Sequence, residues 1–265
     1  MISIRQRIRH HLRPLRIVQL RWARRWQDWR LGVRFAKQQT STPLPVQVVA
    51  HQSLLLRRLG DTDPQLQHNK VVNLGLAVPH LHGLLIPPGA TLSIWRRVGR
   101  PSARQGYLPG VQLSQGRVTV GVGGGLCQLA NLIHWMGLQS PLELIERHHH
   151  SFDPFPDAGR LQPFGSGASL FFNYVDLRFR NPTDQTLQLM VWINATHLCG
   201  EIRAQTAPPY VYQVFETDHR FERVGDALYR CNSIWQRRVD HHSCTTIDER
   251  LLYQNRSLVM YPIDA

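Results

Sequence analysis

VTVGVGGGLCQLANLIHWMGL, Val118–Leu138, reads as strand, turn and helix in immediate succession. Three glycines in a row, Gly123, Gly124 and Gly125, are costly to order and add no side-chain packing. They imply a tight turn, a close backbone approach, or a surface of main-chain amides that meets a ligand. After them Leu126, Leu129, Ile133 and Met136 recur at helical spacing, so a helix is expected over 127–138 with Cys127 in its first turn. A cysteine there faces unpaired N–H groups and the positive end of the helix dipole, which favours thiolate over thiol. The amides near Gly124 and Gly125 suit a developing oxyanion. Gln128 adjoins the cysteine and Asn131 lies one turn on, and both are candidate substrate contacts.

A nucleophilic cysteine needs a base. His134 is two turns away, roughly 10 Å of axial rise, and out of hydrogen-bond reach. In IERHHHSF an extended backbone sends His148 and His150 to one face and His149 to the other, so one of the first pair is expected to meet Cys127. Arg147 beside them is a further candidate substrate contact, and Asp176 is the acid expected to orient the histidine. Competing readings remain open: free cysteines are often simply buried, and a histidine run is often a solvated strand end. Cys127 with His148 and His150 is a conceivable zinc set, but CxxC and HExxH are both missing, so neither metal nor cofactor is expected.

Outward from this stretch, short apolar runs separated by turn signals in 71–120 read as strands. LELIERHHH reads as another, and DPFPDAGRLQPFGSGA as loop. In VDLRFRN, Val175, Leu177 and Phe179 face one way and Asp176, Arg178 and Arg180 the other; with LQLMVWI this suggests a β-hairpin. Residues 40–70 read as loop with a short helix around SLLLRRLG, and the chain from about Pro208 continues in β-like pieces.

The first thirty residues hold nine arginines against one acid, Asp28, and so carry +8 of the net charge of +13. Ile4, Ile8, Leu12, Leu15, Trp22, Trp26 and Trp29 share one helical face, with a break or kink expected at Pro14. Such a helix lies on an anionic membrane surface or packs its stripe on the protein's own core. No nucleic-acid motif accompanies the charge, and no nucleic-acid partner is expected.

The chain of 265 residues, 42% hydrophobic, can bury a large core. It has neither a spanning apolar segment nor the apolar core of a signal peptide, which points to the cytoplasm or the inner face of the membrane. Cysteines 127, 199, 231 and 244 are too scattered for a disulfide framework or a metal knuckle and read as reduced thiols. The fold expected is α+β: a mixed or antiparallel β-rich domain over 39–207 with a glycine-loop-to-helix nucleophile element, a basic amphipathic helical segment over 1–38, and a β-rich extension over 208–265 packed on the same domain.

From NKVVNLGLAVPHLHGLLIPPGATLSIWRRVG through GYLPGVQLSQGRVTVGVGGGLCQLANLIHW to ERHHHSF and VDLRFRNPTDQTLQL, the sequence resembles the VanW family, with GGGLCQ matching its core signature. DHRFERVGDALYRCNSIWQRR is similar to its longer members. The resemblance implies a link to peptidoglycan and L,D-transpeptidase activity through the signature cysteine. Cys127 would be the nucleophile, His150 would match the family histidine of an R-x-x-H pattern begun by Arg147, and Asp176 would match the acid of a D-L-x-x-x-N strand. The implied partner is a peptidoglycan stem peptide or its lipid-linked precursor. Members acting on assembled wall are exported, whereas this N-terminus is basic and amphipathic, which directs the expectation toward precursor on the cytoplasmic side.

Overall fold

The computed structural model describes residues 4–56, 63–114, 117–149, 151–153, 162–172 and 174–261, with side chains throughout except at 4–14, 113, 114 and 117. In chain order the elements are α1 (Ile4–Arg30), β1 (Val46–Leu54), α2 (Pro64–Ala77), β2 (Leu84–Ile86), β3 (Thr91–Ser93), α3 (Ile94–Val98), β4 (Pro109–Ser114), β5 (Arg117–Val122) and α4 (Cys127–Leu138). Then follow β6 (Glu143–Glu146), β7 (Phe152–Asp153), β8 (Arg178–Arg180), β9 (Leu187–Ile193), β10 (His197–Ala204), β11 (Tyr210–Val224), β12 (Ala227–Asp240) and β13 (Thr246–Val259). The architecture is α+β and rich in antiparallel strands.

Among the described residues four sheets build it, in the orders β1-β10-β9-β2, β3-β8-β6, β4-β5 and β11-β12-β13-β7, and of these strand pairs only β13 and β7 run parallel. The helix after the glycine run is the hub. Leu129, Leu132, Ile133 and Met136 are fully or almost fully buried, and each such side chain contributes about 1.5–3 kcal/mol of transfer free energy. On one side α4 lies against Gly200 of β10, where a Cβ would meet Met136 Cε at 2.7 Å; on the other, Gly137 lies against the Phe179 ring of β8. The two glycines let the helix pass closely between two sheets. The long β11–β13 sheet closes its C-terminal end: Gln236 Nε2 donates to Leu138 O at 2.6 Å, and the Tyr253 ring packs 6.0 Å from that of His134.

Several expectations are corrected. α2 occupies 64–77, where loop and strand were read; Asp63 caps it by accepting from Gln65 N at 2.8 Å, and Pro64 opens its first turn. Ser53 and Leu54 close β1 instead of opening a helix. β8 and β9 form no hairpin, since β8 pairs with β3 and β6 while β9 pairs with β10 and β2. α1 runs through Pro14 unbroken; proline removes one N–H bond, and the turns on either side sustain the helix. The tryptophan stripe of α1 does not pack on the core, because Trp22, Trp26 and Trp29 are 66%, 57% and 77% exposed.

What α1 buries is charge. Asp28 accepts from Arg178 Nη1 at 2.6 Å and Arg96 Nη2 at 3.0 Å, while Arg24 pairs with Asp28 and Glu146. Arg178 Nε also meets Asp176 at 3.1 Å and Glu146 at 3.3 Å. Three guanidiniums thus meet three carboxylates, and α1 is clasped to β8 and β6 through matched charge. Among the described residues no helix is long and apolar enough to cross a membrane.

Candidate functional site

The glycine run is a turn built by backbone proximity. Gly123 and Gly125 have φ of +78° and +91°, and a Cβ on Gly124 would sit 2.1 Å from the Gly110 carbonyl. A Cβ on Gly125 would meet Lys70 Cγ at 2.2 Å. The turn therefore wedges between the β4–β5 ribbon and α2, and Asn73 fixes it by donating to Gly124 O at 2.9 Å. Gly124 N donates to Gly121 O at 3.0 Å, so that amide is spent and not open to an oxyanion. The amides of Gly125, Leu126 and Cys127 have no carbonyl partner among the described residues, and no side chain caps the N-terminus of α4.

Cys127 lies on the wall of a cavity of about 400 Å³. Val111, Gln112, Thr119 and Gly121 of the ribbon form one side, and Trp95, Phe171 and Phe172 supply aromatic walls. Two cations line it, Arg21 from α1 and Arg100 from the segment after α3. Arg21 Nη2 donates to Phe172 O at 3.0 Å and its guanidinium lies over the Phe172 ring, while its buried Nε has no partner among the described residues. Apolar walls with a few placed cations suit a small anionic ligand.

The sulfur differs from expectation. Burial pushes the Cys127 thiol up, with hydrogen bonds from the backbone of Leu170 and Cys127 itself acting the other way. That direction is the one enclosure gives, against the pull of the helix terminus. All four cysteines are free and Cys244 alone is exposed. Iodoacetamide near neutral pH is therefore expected to label Cys244 first and Cys127 well after it, read by peptide mapping. Earlier labelling of Cys127 would mean that its thiolate is populated despite enclosure.

The other expected site residues are engaged elsewhere. Gln128 Nε2 ties α4 to β1 through Ser53 Oγ at 2.9 Å and Leu54 O at 2.7 Å. Asn131 Oδ1 accepts from Ala168 N at 2.8 Å. Arg147 Nε donates to Gly167 O at 2.9 Å, and its guanidinium stacks 3.8 Å from the centre of the Tyr253 ring. Gln128 and Asn131 hold β1 and the 162–172 loop against α4, and Arg147 ties that loop to the end of β6 and to β13; none of the three lines the cavity. Asp176 is buried and accepts from Ser93 Oγ, Trp95 N, Leu177 N and Arg178 Nε, which makes it a strut of the α1 clasp; none of these partners among the described residues is a histidine. His148 bonds Glu146 Oε1 at 3.0 Å, and His150 lies outside the described residues. Among the described residues no histidine lines the cavity, and no group of three or more His, Cys, Asp or Glu is placed to hold a metal ion.

Sequence reasoning missed Arg21, Arg100 and the aromatic walls. They come from three separate segments, and no spacing rule joins them.

Comparison with known proteins gives a match to the family described as VanW like protein over residues 69–203, which takes in the glycine turn, α4 and β8. The Vancomycin B-type resistance protein VanW of Enterococcus faecalis is 34% identical over 197 residues, 74% of this chain and 72% of that protein. The uncharacterized protein YoaR of Bacillus subtilis is 25% identical over 116 residues, 43% of this chain and 36% of its own length. No solved structure matches.

Proposed function

The chain belongs to the VanW-like family, and from that premise we propose that it acts on the peptide of a cell-wall precursor, with Cys127 the nucleophile of an acyl transfer. The observation that supports this is the Cys127 cavity: a sulfur at the first turn of an uncapped helix, beside two arginines and aromatic walls. The relative of Enterococcus faecalis is named for vancomycin resistance, and the resemblance links the family to peptidoglycan.

In the proposed reaction, Arg21 and Arg100 take the terminal carboxylate of a stem peptide. The Cys127 sulfur attacks the carbonyl before the terminal D-residue, and the amides of Gly125 to Cys127 receive the oxyanion. The C–N bond breaks, the thiol proton passes to the departing amine, and a thioester remains. An incoming amine then forms the new amide and returns a proton to sulfur. His150, matched to the family histidine, is the proposed carrier of these protons.

A second reading, in which the site binds the same peptide without chemistry, is favoured by burial of the sulfur, which pushes the thiol up. One experiment separates the two. Protein incubated with a disaccharide tetrapeptide is expected to gain an acyl adduct on Cys127 by mass spectrometry and to release D-alanine, while Cys127→Ala does neither. Wild type that releases no more D-alanine than Cys127→Ala eliminates acyl transfer. Binding remains if Cys127→Ala holds the peptide as tightly as wild type and Arg21→Gln weakens it about tenfold or more, as expected for a lost charge-assisted hydrogen bond.

A further inference from the structure

α1 turns its most apolar side chains away from the protein. At 3.6 residues per turn, Leu15, Val18, Trp22, Trp26 and Trp29 fall within a stripe roughly 80° wide. Their exposures are 67%, 48%, 66%, 57% and 77%. The opposite side of the helix carries Arg21, Arg24 and Asp28, which are engaged with Phe172, Glu146, Arg178 and Arg96. That clasp sets the rotation of the helix: the stripe cannot turn inward without breaking the buried pair of Asp28 and Arg178. Three exposed indoles in one row form an apolar patch of a kind that monomeric soluble proteins rarely leave bare.

The surroundings of the stripe select its occupant. Arg16 and Arg30 flank one side and Arg25 the other, all exposed, with the Arg30 guanidinium 5.4 Å from the centre of the Trp26 ring. The one acid among the first thirty residues, Asp28, is buried in ion pairs. The outward face of α1 from Leu15 on is therefore apolar and cationic apart from the neutral Gln19 and carries no acid, a composition that repels basic surfaces and matches a layer of anionic headgroups over hydrocarbon.

We propose that α1 is an interfacial docking helix that lies flat on an anionic lipid surface, with Trp22, Trp26 and Trp29 at headgroup depth and Arg16, Arg25 and Arg30 on lipid phosphates. The inner side of the same helix supplies Arg21 to the Cys127 cavity. Docking thus sets that cavity about one helix diameter, roughly 10 Å, from the headgroups. If the cell-wall reading above holds, this geometry selects substrates that present a peptide head on a lipid tail. The docking itself does not depend on that reading.

The test uses the full chain with extruded vesicles of phosphatidylglycerol mixed with phosphatidylcholine, and with phosphatidylcholine alone. No peptide is present, so the outcome is independent of any acyl transfer. Wild type is expected to sediment with the anionic vesicles only and to shift its tryptophan emission to shorter wavelength. Trp22→Ser, Trp26→Ser and Trp29→Ser combined should remain folded by circular dichroism, since all three are exposed, and stay in the supernatant. Replacing Arg16, Arg25 and Arg30 by Gln should lower partitioning roughly a hundredfold, because each basic residue near an anionic surface contributes about a factor of five. Failure of wild type to sediment with anionic vesicles overturns the proposal, as does equal sedimentation of the tryptophan variant. So does a wild-type dimer that the tryptophan variant converts to monomer in light scattering, which would assign the stripe to a second copy of the chain.

Discussion

Asp28→Asn is expected to destabilise the protein by about 3–5 kcal/mol and to release α1 from the domain, the cost found when one member of a buried ion pair is removed and its partners stay buried. Asp28 is only 5% exposed, and both its oxygens are engaged by Arg178 and Arg96. Without it the three guanidiniums of Arg24, Arg96 and Arg178 face two acids, Asp176 and Glu146, and Arg178 itself stays buried. Burial pushes the Asp28 carboxyl up, but the hydrogen bonds from Arg178 and Arg96 outweigh it and hold the group below its ordinary value of 3.8. Its contribution is therefore complete above that value and is lost as pH falls below it. The control is Arg180→Gln, which breaks an exposed pair with Glu143 and should cost less than about 1 kcal/mol. Urea denaturation gives the two free energies, and trypsin, with the arginines of α1 as its sites, reports release of the helix. Equal, small losses in the two variants, with α1 still protected, would show that the clasp does not hold the helix.

The same clasp marks where sequence reading stopped. Glycine turn and α4 were legible because their signals are local: three glycines, then an apolar period that no strand would carry. What the glycines are for was not legible. Gly124 is required by Gly110 and Gly125 by Lys70, partners 14 and 55 residues away in the chain. The alternation in VDLRFRN was read as an apolar and a polar face, and Asp176 and Arg178 of the polar face are buried along with Leu177 and Phe179. Arg178 pairs with Asp176, and a further partner, Asp28, lies 150 residues away in the chain. For α1 the sequence left both directions open, the tryptophans toward a membrane surface or toward the core. The matched acids and arginines that made the charged face the inner one are scattered over Arg96, Glu146, Asp176 and Arg178.

The candidate site divides in the same way. The position of Cys127 at the start of α4 was legible because a cysteine beside glycines at a helix start is a local pattern, and the cavity beside it follows from the ribbon that the glycine turn supports. Gln128, Asn131 and Arg147 are near the cysteine in sequence or motif, but proximity along the chain does not set direction, and their polar atoms hold loops. Arg21 and Arg100 reach the cavity from elements 79 positions apart, so only tertiary structure joins them. The push of burial on the thiol was not legible, because a helix terminus can be read from sequence and enclosure cannot.

Between pH 6.5 and about 3 the wild-type protein is expected to lose on the order of 5 kcal/mol through His134 alone. The imidazole is fully enclosed between the rings of Phe179 and Tyr253, with Nδ1 2.8 Å from Ser166 O and Nε2 without a hydrogen-bond partner among the described residues. Burial first, and the charge of Arg147 second, lower its pKa from 6.5 to about 3, against the Ser166 carbonyl, which acts the other way. In the unfolded chain the ring takes a proton near 6.5, whereas the folded ring refuses it until about 3. Across that window the unfolded state binds more protons, so stability falls as pH falls, and it levels off above and below. Burial also lowers the pKa values of His148 and His149, which gives the same sign. They remain in every variant and cancel in the comparison. His134→Gln keeps a donor for Ser166 O and removes the titration, so it should be the weaker protein near neutral pH, where the packed ring is missing, and should lose less on acidification. Urea midpoints measured from about pH 8 down to about pH 4 should then converge for the two proteins, toward the acid end. Midpoints that fall in parallel would mean that the buried ring accepts its proton as readily folded as unfolded, and the enclosure of His134 between Phe179 of β8 and Tyr253 of β13 would carry no pH dependence.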